Sequence, residues 1–427
     1  MKVCVYGLWH LGSVTAACLP RYGVDTVGLD NDAATIGNLS KAVPPLHEPG
    51  LPELVDEGLK SGKLRFTTDA KSAVSDADVV WVAIDTPVND DDVADVGYVE
   101  AGIARDIFPY LKSGAVVLVS SQMPVGSMAK LEQAFAKVAN GRQVEFACSP
   151  ENLRLGKAIG VFTNPGRIIV GVRGDVARAR LEPLLKPICD TIFWIGVESA
   201  EMTKHALNAF LATSITFANE IATICERVGA DSSEVEKAIQ SDPRIGTQSY
   251  VRAGFGFGGG TLARDVRYLE QAAEKQDVKL RVLGSVLDSN EAHRHWAFNR
   301  LTNLLGGLKG KRIALLGLSY KPGTDAIRRS VAVDLIRLLT GAGAIITAFD
   351  PKVKSLPSDL KATVAGSAQD ALKGADAAII ATEWPDFREL SADDFKGMAR
   401  TLVLDQSRFL NAQLSGKLEY VTTGRSA

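Results

Sequence analysis

The sequence has little of what would tie it to a metal, a membrane or a nucleic acid. Its five cysteines (Cys4, Cys18, Cys148, Cys189 and Cys225) stand singly, an odd number without a CxxC pair. Neither a zinc cluster nor a disulfide framework is therefore expected, and no metal site is assigned. Cys4, Cys18 and Cys225 fall in apolar periodic stretches and read as core filler. The formal net charge is only −2, with Lys and Arg spread along the chain, so the basic footprint of a nucleic-acid or polybasic membrane partner is missing. No apolar run approaches the length of a membrane span. The first residues run straight into a strand without a basic region or cleavage site, which makes the cytoplasm the expected address. Low-complexity segments are absent.

What is present is a globular composition, 46% hydrophobic and 23% charged over 427 residues, enough chain for two or three cores. Lys2–Tyr6 is a short apolar run ending in Gly7, a helical pattern follows from Leu11 to Tyr22, and a second run, Thr26–Leu29, closes on Asp30. That is a βαβ unit. Apolar runs at Val79–Ile84, Ala115–Val119, Val144–Ala147 and Arg167–Val172 continue the alternation. From Ser199 to Val228 the pattern becomes one long amphipathic helix, and a helical section continues to about Gly306. A second βαβ series begins at Arg312–Gly317 and proceeds through Val331–Thr340, Ile345–Phe349 and Ala377–Ala381. The expected class is α/β: two Rossmann-like doubly wound domains joined by a long central helix and a helical middle domain, with bounds 1–198, 199–306 and 307–427.

Several local patterns suit a ligand. GFGFGGG (Gly254–Gly260) is dense enough in glycine for backbone N–H groups to approach an anion, whereas a flexible turn of that length would be costly in entropy. Lys321 and Arg328 follow the first strand of the second series, at the carboxyl end where open α/β sheets bind ligands, and cations there suit a diphosphate. Lys204 and Asn208 are spaced i, i+4, so they share one helix face and can stabilise an oxyanion together.

In order along the chain, HEPGL (His47–Leu51), LRFTTD (Leu64–Asp69), ADVGYVEA (Ala94–Ala101), SPENLRLG (Ser149–Gly156), NPGRIIVG (Asn164–Gly171), EMTKHALNAF (Glu201–Phe210), DPRIG (Asp242–Gly246), GFGFGGGTLARD (Gly254–Asp265), GLSYKPGTDAIRRS (Gly317–Ser330) and TEWPDF (Thr382–Phe387) make the sequence resemble the UDP-glucose/GDP-mannose dehydrogenases. The resemblance implies NAD on the N-terminal half and a nucleotide sugar between the middle and C-terminal portions. It implies a homodimer through the central helix, and oxidation of the sugar's C6 alcohol in two hydride transfers through an aldehyde held on a cysteine. It places Glu151, Lys204, Asn208, Thr261 and Asp265 in the chemistry. Around NAD it places Gly7, Trp9, His10, Leu11, Gly12, Asp30, Thr86, Gln122 and Arg328. Against the substrate it places Glu151, Leu153, Lys204, Asn208, Arg244, Tyr250, Gly254, Gly256, Gly258 and Lys321. Arg244 matches an arginine that the family extends across its dimer interface, and Asp30 favours NAD over NADP.

Three positions depart together. Thr261 stands where the family has its cysteine, Gln122 where it has a threonine, and Leu155 where it has a second glutamate. Loss of the thiolate removes the strongest nucleophile of the second oxidation, so that step is expected to be impaired or altered. The cofactor loop GLWHLG also carries Trp9 at the middle glycine of GxGxxG, and Asp85 replaces a small residue in AIDTP. Alternatives are a redox-neutral enzyme that keeps NAD bound, such as an epimerase, and a non-catalytic nucleotide-sugar-binding protein.

Overall fold

In the computed structural model, which describes residues 1–87, 94–150, 153–258, 261–328 and 330–426, the chain divides into two compact units, Met1–Ala206 and Leu207–Ala427. The first contains an eight-stranded sheet of β1 (Lys2–Tyr6), β2 (Asp25–Leu29), β3 (Leu64–Thr67), β4 (Val79–Val82), β5 (Val116–Val119), β6 (Glu145–Cys148), β7 (Ile168–Gly171) and β8 (Ile192–Ile195). Its spatial order is β3-β2-β1-β4-β5-β6-β7-β8, parallel throughout except for the β6–β7 pair. The second unit holds β9 (Arg312–Leu316), β10 (Ile345–Phe349), β11 (Ala362–Val364), β12 (Ala377–Ile380), β13 (Leu402–Leu404) and β14 (Glu419–Val421) in the order β11-β10-β9-β12-β13-β14. Both orders reverse direction beside their first strand, which leaves a crevice at the carboxyl ends of the strands.

The period of two along each strand explains why these runs form sheets buried on both faces. In β1, Val3 and Val5 enter one core and Cys4 and Tyr6 the other. In β9, Ile313 and Leu315 divide from Ala314 and Leu316 in the same way. Neither strand has a polar residue in its interior, so neither face is left to solvent.

The two sheets share one local device. Gly7, with φ +90, donates its N–H to Leu29 O at 2.9 Å, and Leu8 N–H reaches Asp30 Oδ2 at 2.7 Å. In the second unit Gly317, with φ +99, donates to Phe349 O at 2.8 Å, and Leu318 N–H reaches Asp350 Oδ2 at 2.8 Å. A side chain at Gly7 would lie 2.7 Å from Ile84, and one at Gly317 would lie 2.5 Å from Thr382. Left-handed backbone and crowding both demand glycine at the two turns.

The helix Val197–Val228 has 32 residues and extends about 48 Å at 1.5 Å per residue. It has neither Pro nor Gly inside it, and the unit boundary at Ala206 falls within it rather than in a loop. Among the described residues no helix is long and apolar enough to cross a membrane.

Candidate active site

In the first unit the turn after β1 leads directly into the helix His10–Cys18. Gly12 lies so near the turn that a Cβ on it would sit 1.7 Å from Gly7 O, so only glycine allows the helix His10–Cys18 to pack there. Leu11, on that helix, is buried. Trp9 has φ −73, outside the left-handed region that demands glycine, and its carbonyl accepts the Ser13 N–H at 3.1 Å. The residue is 50% exposed.

Asp30 accepts the Leu8 N–H on one carboxylate oxygen and the Asp32 N–H, at 2.9 Å, on the other. Each oxygen keeps a second acceptor position for a ribose hydroxyl. Asp350, its counterpart in the second unit, is 1% exposed and saturated by the N–H groups of Leu318, Ser319, Lys352 and Val353 and by the Trp384 indole. Burial raises its pKa, but the four backbone donors outweigh this and hold it below the usual carboxylate range. The first turn thus has acceptor capacity to spare. The second is filled by its own protein.

Thr86 donates its hydroxyl to Gln122 O at 2.8 Å, joining the segments that follow β4 and β5, and Asp85 is exposed beside it. Leu153 packs partly buried against the core, and Lys204 is half-buried on the long helix. Glu151 lies outside the described residues. Glu48, in HEPGL, has a part that motif reading did not assign. Its carboxylate is buried and accepts the N–H groups of Gly156 (2.7 Å) and Ala158 (2.8 Å), and His10 Nε2 lies 3.0 Å from it. It therefore fixes the end of SPENLRLG to the helix that follows β1.

In the second unit three side chains hold the glycine loop. Asn219 Oδ1 accepts Gly254 N–H at 2.9 Å, Asn290 Oδ1 accepts Phe257 N–H at 2.8 Å, and His293 Nε2 sits 2.7 Å from Gly254 O. Burial lowers the His293 pKa, so its neutral ring can donate to that carbonyl. A side chain at Gly256 would meet Arg294 at 2.8 Å and Asn290 at 3.0 Å, whereas Gly258 is exposed. The described part of the loop is clamped, in keeping with a ligand platform. Gly259 and Gly260 lie outside the described residues.

Thr261 opens the helix Thr261–Glu274 and is exposed. One turn along, Asp265 is fully buried and accepts a hydrogen bond from the Asn208 amide. The sequence placed this pair together only by motif order, and the structure joins them directly. All five cysteines are buried, and burial pushes the thiols of Cys4, Cys18 and Cys148 up to about 12. None is an accessible thiolate that could stand in for Thr261.

Lys321 lies over the Tyr320 ring at 5.5 Å, and Arg328 is exposed on the same segment. Arg244 is exposed and paired with Asp242 at 2.6 Å, and Tyr250 is half-exposed. Asn219, Asn290 and His293 were not legible as site residues, because a polar residue in a helical stretch ordinarily faces water.

Three signatures of the UDP-glucose/GDP-mannose dehydrogenase family match the chain in order: the NAD binding domain over residues 1–189, the central domain over 198–292 and the UDP binding domain over 314–412. The UDP-glucose 6-dehydrogenase TuaD of Bacillus subtilis (strain 168) is 34% identical over 434 residues, covering 100% of this chain and 94% of the relative. The UDP-glucose 6-dehydrogenase of Rhizobium meliloti (strain 1021) is 36% identical over 415 residues, covering 95% and 94%. Among solved structures, a UDP-glucose dehydrogenase from the hyperthermophilic archaeon Pyrobaculum islandicum superposes with a TM-score of 0.86 at 31% identity, covering 100% of this chain and 98% of that one.

Proposed function

Because this chain belongs to the UDP-glucose/GDP-mannose dehydrogenase family, we propose that it oxidises the C6 alcohol of a UDP-hexose and that, with Thr261 at the nucleophile position, the oxidation ends at the aldehyde. It is an NAD-dependent nucleotide-sugar dehydrogenase. NAD, when bound, accepts the C6 hydride. Gly7, Leu11 and Gly12 shape its turn, Asp30 offers acceptors to the ribose, and Thr86 and Gln122 line the neighbouring strand ends.

The observation that carries this reading is the buried pair made by Asn208, on the long helix, and Asp265, on the helix that begins at Thr261. Removing hydride from an alcohol also requires removal of the hydroxyl proton, and a carboxylate fixed by an amide donor is suited to take it. Lys204 and the Asn208 amide then favour the developing oxyanion. The Gly254–Gly258 backbone, Lys321 and Arg328 hold the diphosphate, with Tyr250 beside the base. Purified protein with UDP-glucose and NAD should form NADH, read at its absorbance, and each ligand alone should raise the melting temperature. A protein that neither ligand stabilises and that forms no NADH would refute the assignment.

We further propose a homodimer through the long helix. Phe210, Phe217 and Ile224 recur every seven residues and are 66%, 47% and 56% exposed, with Val228, at 70%, one turn beyond. Such a stripe lies on one helix face and is apolar surface that a monomer ordinarily covers. Arg244 lines the adjoining groove with Val235, Ile239 and Ile245, which is where a residue serving the partner's sugar would stand. Phe217→Asp should convert the species seen by light scattering from two chains to one. An unchanged mass would exclude this face.

A further inference from the structure

His10 sits at the first position of the helix His10–Cys18, where a dinucleotide phosphate would meet the helix N-terminus. Its ring is nearly enclosed, and its Nε2 lies 3.0 Å from Glu48, whose side chain is 1% exposed. Both Glu48 oxygens already receive a backbone N–H, from Ala158 on Oε1 and Gly156 on Oε2. That is the arrangement of an ionised carboxylate, which accepts and does not donate, so the ring nitrogen facing it carries the proton.

This fixes the tautomer. With Nε2 holding hydrogen, the neutral ring leaves Nδ1 as a bare lone pair. Nδ1 has no hydrogen-bond partner among the described residues. A lone pair repels a phosphate oxygen, whereas a protonated Nδ1 donates to it. Trp9 stands beside this ring at the position where the loop's middle glycine would let backbone approach the pyrophosphate.

Building on the cofactor reading above, we propose that His10 binds NAD as an imidazolium, with Nε2–H kept on Glu48 and Nδ1–H donated to a phosphate oxygen, so that cofactor binding takes up a proton. A cation at a helix N-terminus is unfavourable alone. Glu48 on one side and the arriving phosphate on the other offset that cost. Because the complex holds the proton more tightly than the free protein, NAD affinity is greatest at low pH and falls as pH rises, by up to about tenfold per pH unit.

Other ionisable groups on the packed segments do not take this place. Asp30 is bonded to the Leu8 and Asp32 N–H groups. On the helix Leu51–Lys60, Glu53 is exposed, Asp56 pairs with Lys60, and Glu57 pairs with Arg21. Arg154 and Lys157 are exposed, and the helix Ala158–Thr163 carries no ionisable side chain. His47, exposed beside Glu48, is the other histidine on these segments and serves as the control.

The test is calorimetric titration of the full-length protein with NAD between about pH 6 and about pH 8, in buffers of different ionisation enthalpy. Wild type should bind at least about fivefold more weakly at the upper pH, with a buffer-dependent heat that reports proton uptake. His10→Gln keeps an N–H for Glu48 but cannot be protonated, so its affinity should be flat with pH and its heat independent of buffer. His47→Gln should retain the wild-type slope. Adenosine, which lacks phosphate, should bind wild type without a pH slope. A flat wild-type profile without proton uptake, or an unchanged slope in His10→Gln, would overturn the proposal. Absence of NAD binding at every pH would overturn the cofactor reading along with it.

Discussion

Each UDP-hexose turned over by this protein should yield one NADH and a free aldehyde. The first hydride leaves an alcohol carbon while Asp265 takes the hydroxyl proton, but the second must leave a tetrahedral adduct of the aldehyde. A cysteine at position 261 would form that adduct as a thiolate, since a free thiol with an ordinary pKa of about 8.5 is partly ionised near neutrality. Thr261 offers a hydroxyl that needs a strong base, and the buried thiols of Cys4, Cys18 and Cys148 are held up at about 12. Thr261→Cys should trap the aldehyde as a mass increase on the protein. It should not restore full carboxylate production, because the resemblance implies a threonine and a glutamate where Gln122 and Leu155 stand. Two NADH per sugar from wild type, at comparable rates and with carboxylate as product, would show that the hydrated aldehyde suffices as second donor.

Asp265→Asn should lower kcat by about a hundredfold or more, the scale of a lost general base. The amide is nearly isosteric with the carboxylate and can still accept from Asn208, so the melting temperature should stay close to wild type. NAD affinity should be unaffected, since Asp265 is not among the residues placed around the dinucleotide. Activity within about threefold of wild type would assign proton removal elsewhere.

How far these features could be read from the sequence depended on whether their cause is local. Gly7 and Gly12 were legible, because a positive φ and a Cβ that would sit 1.7 Å from a carbonyl are consequences of the strand-turn-helix itself. β1 and β10 have the expected bounds, and the runs VVWV and VVLV form β4 and β5 because both faces are buried. The helix read as Leu11–Tyr22 ends at Cys18, and Pro20 lies in the 3-10 turn Leu19–Tyr22 that follows it. Pro20 has no N–H with which to extend the ladder. β11, β13 and β14 have three residues each, too few for a period to emerge. Glu48 escaped for a different reason: its three partners are separated from it by 38 or more residues, so only the folded chain brings them together.

The position of the long helix bears on how this architecture can be recombined. A domain joined by a loop can be cut out and exchanged, but the boundary at Ala206 falls inside Val197–Val228. Severing the chain there would strand about four N–H and four C=O groups mid-helix. Chimeras built between relatives of this protein should therefore carry residues 197–228 from a single parent, and an evolving gene would face the same constraint: the segment is inherited whole or not at all.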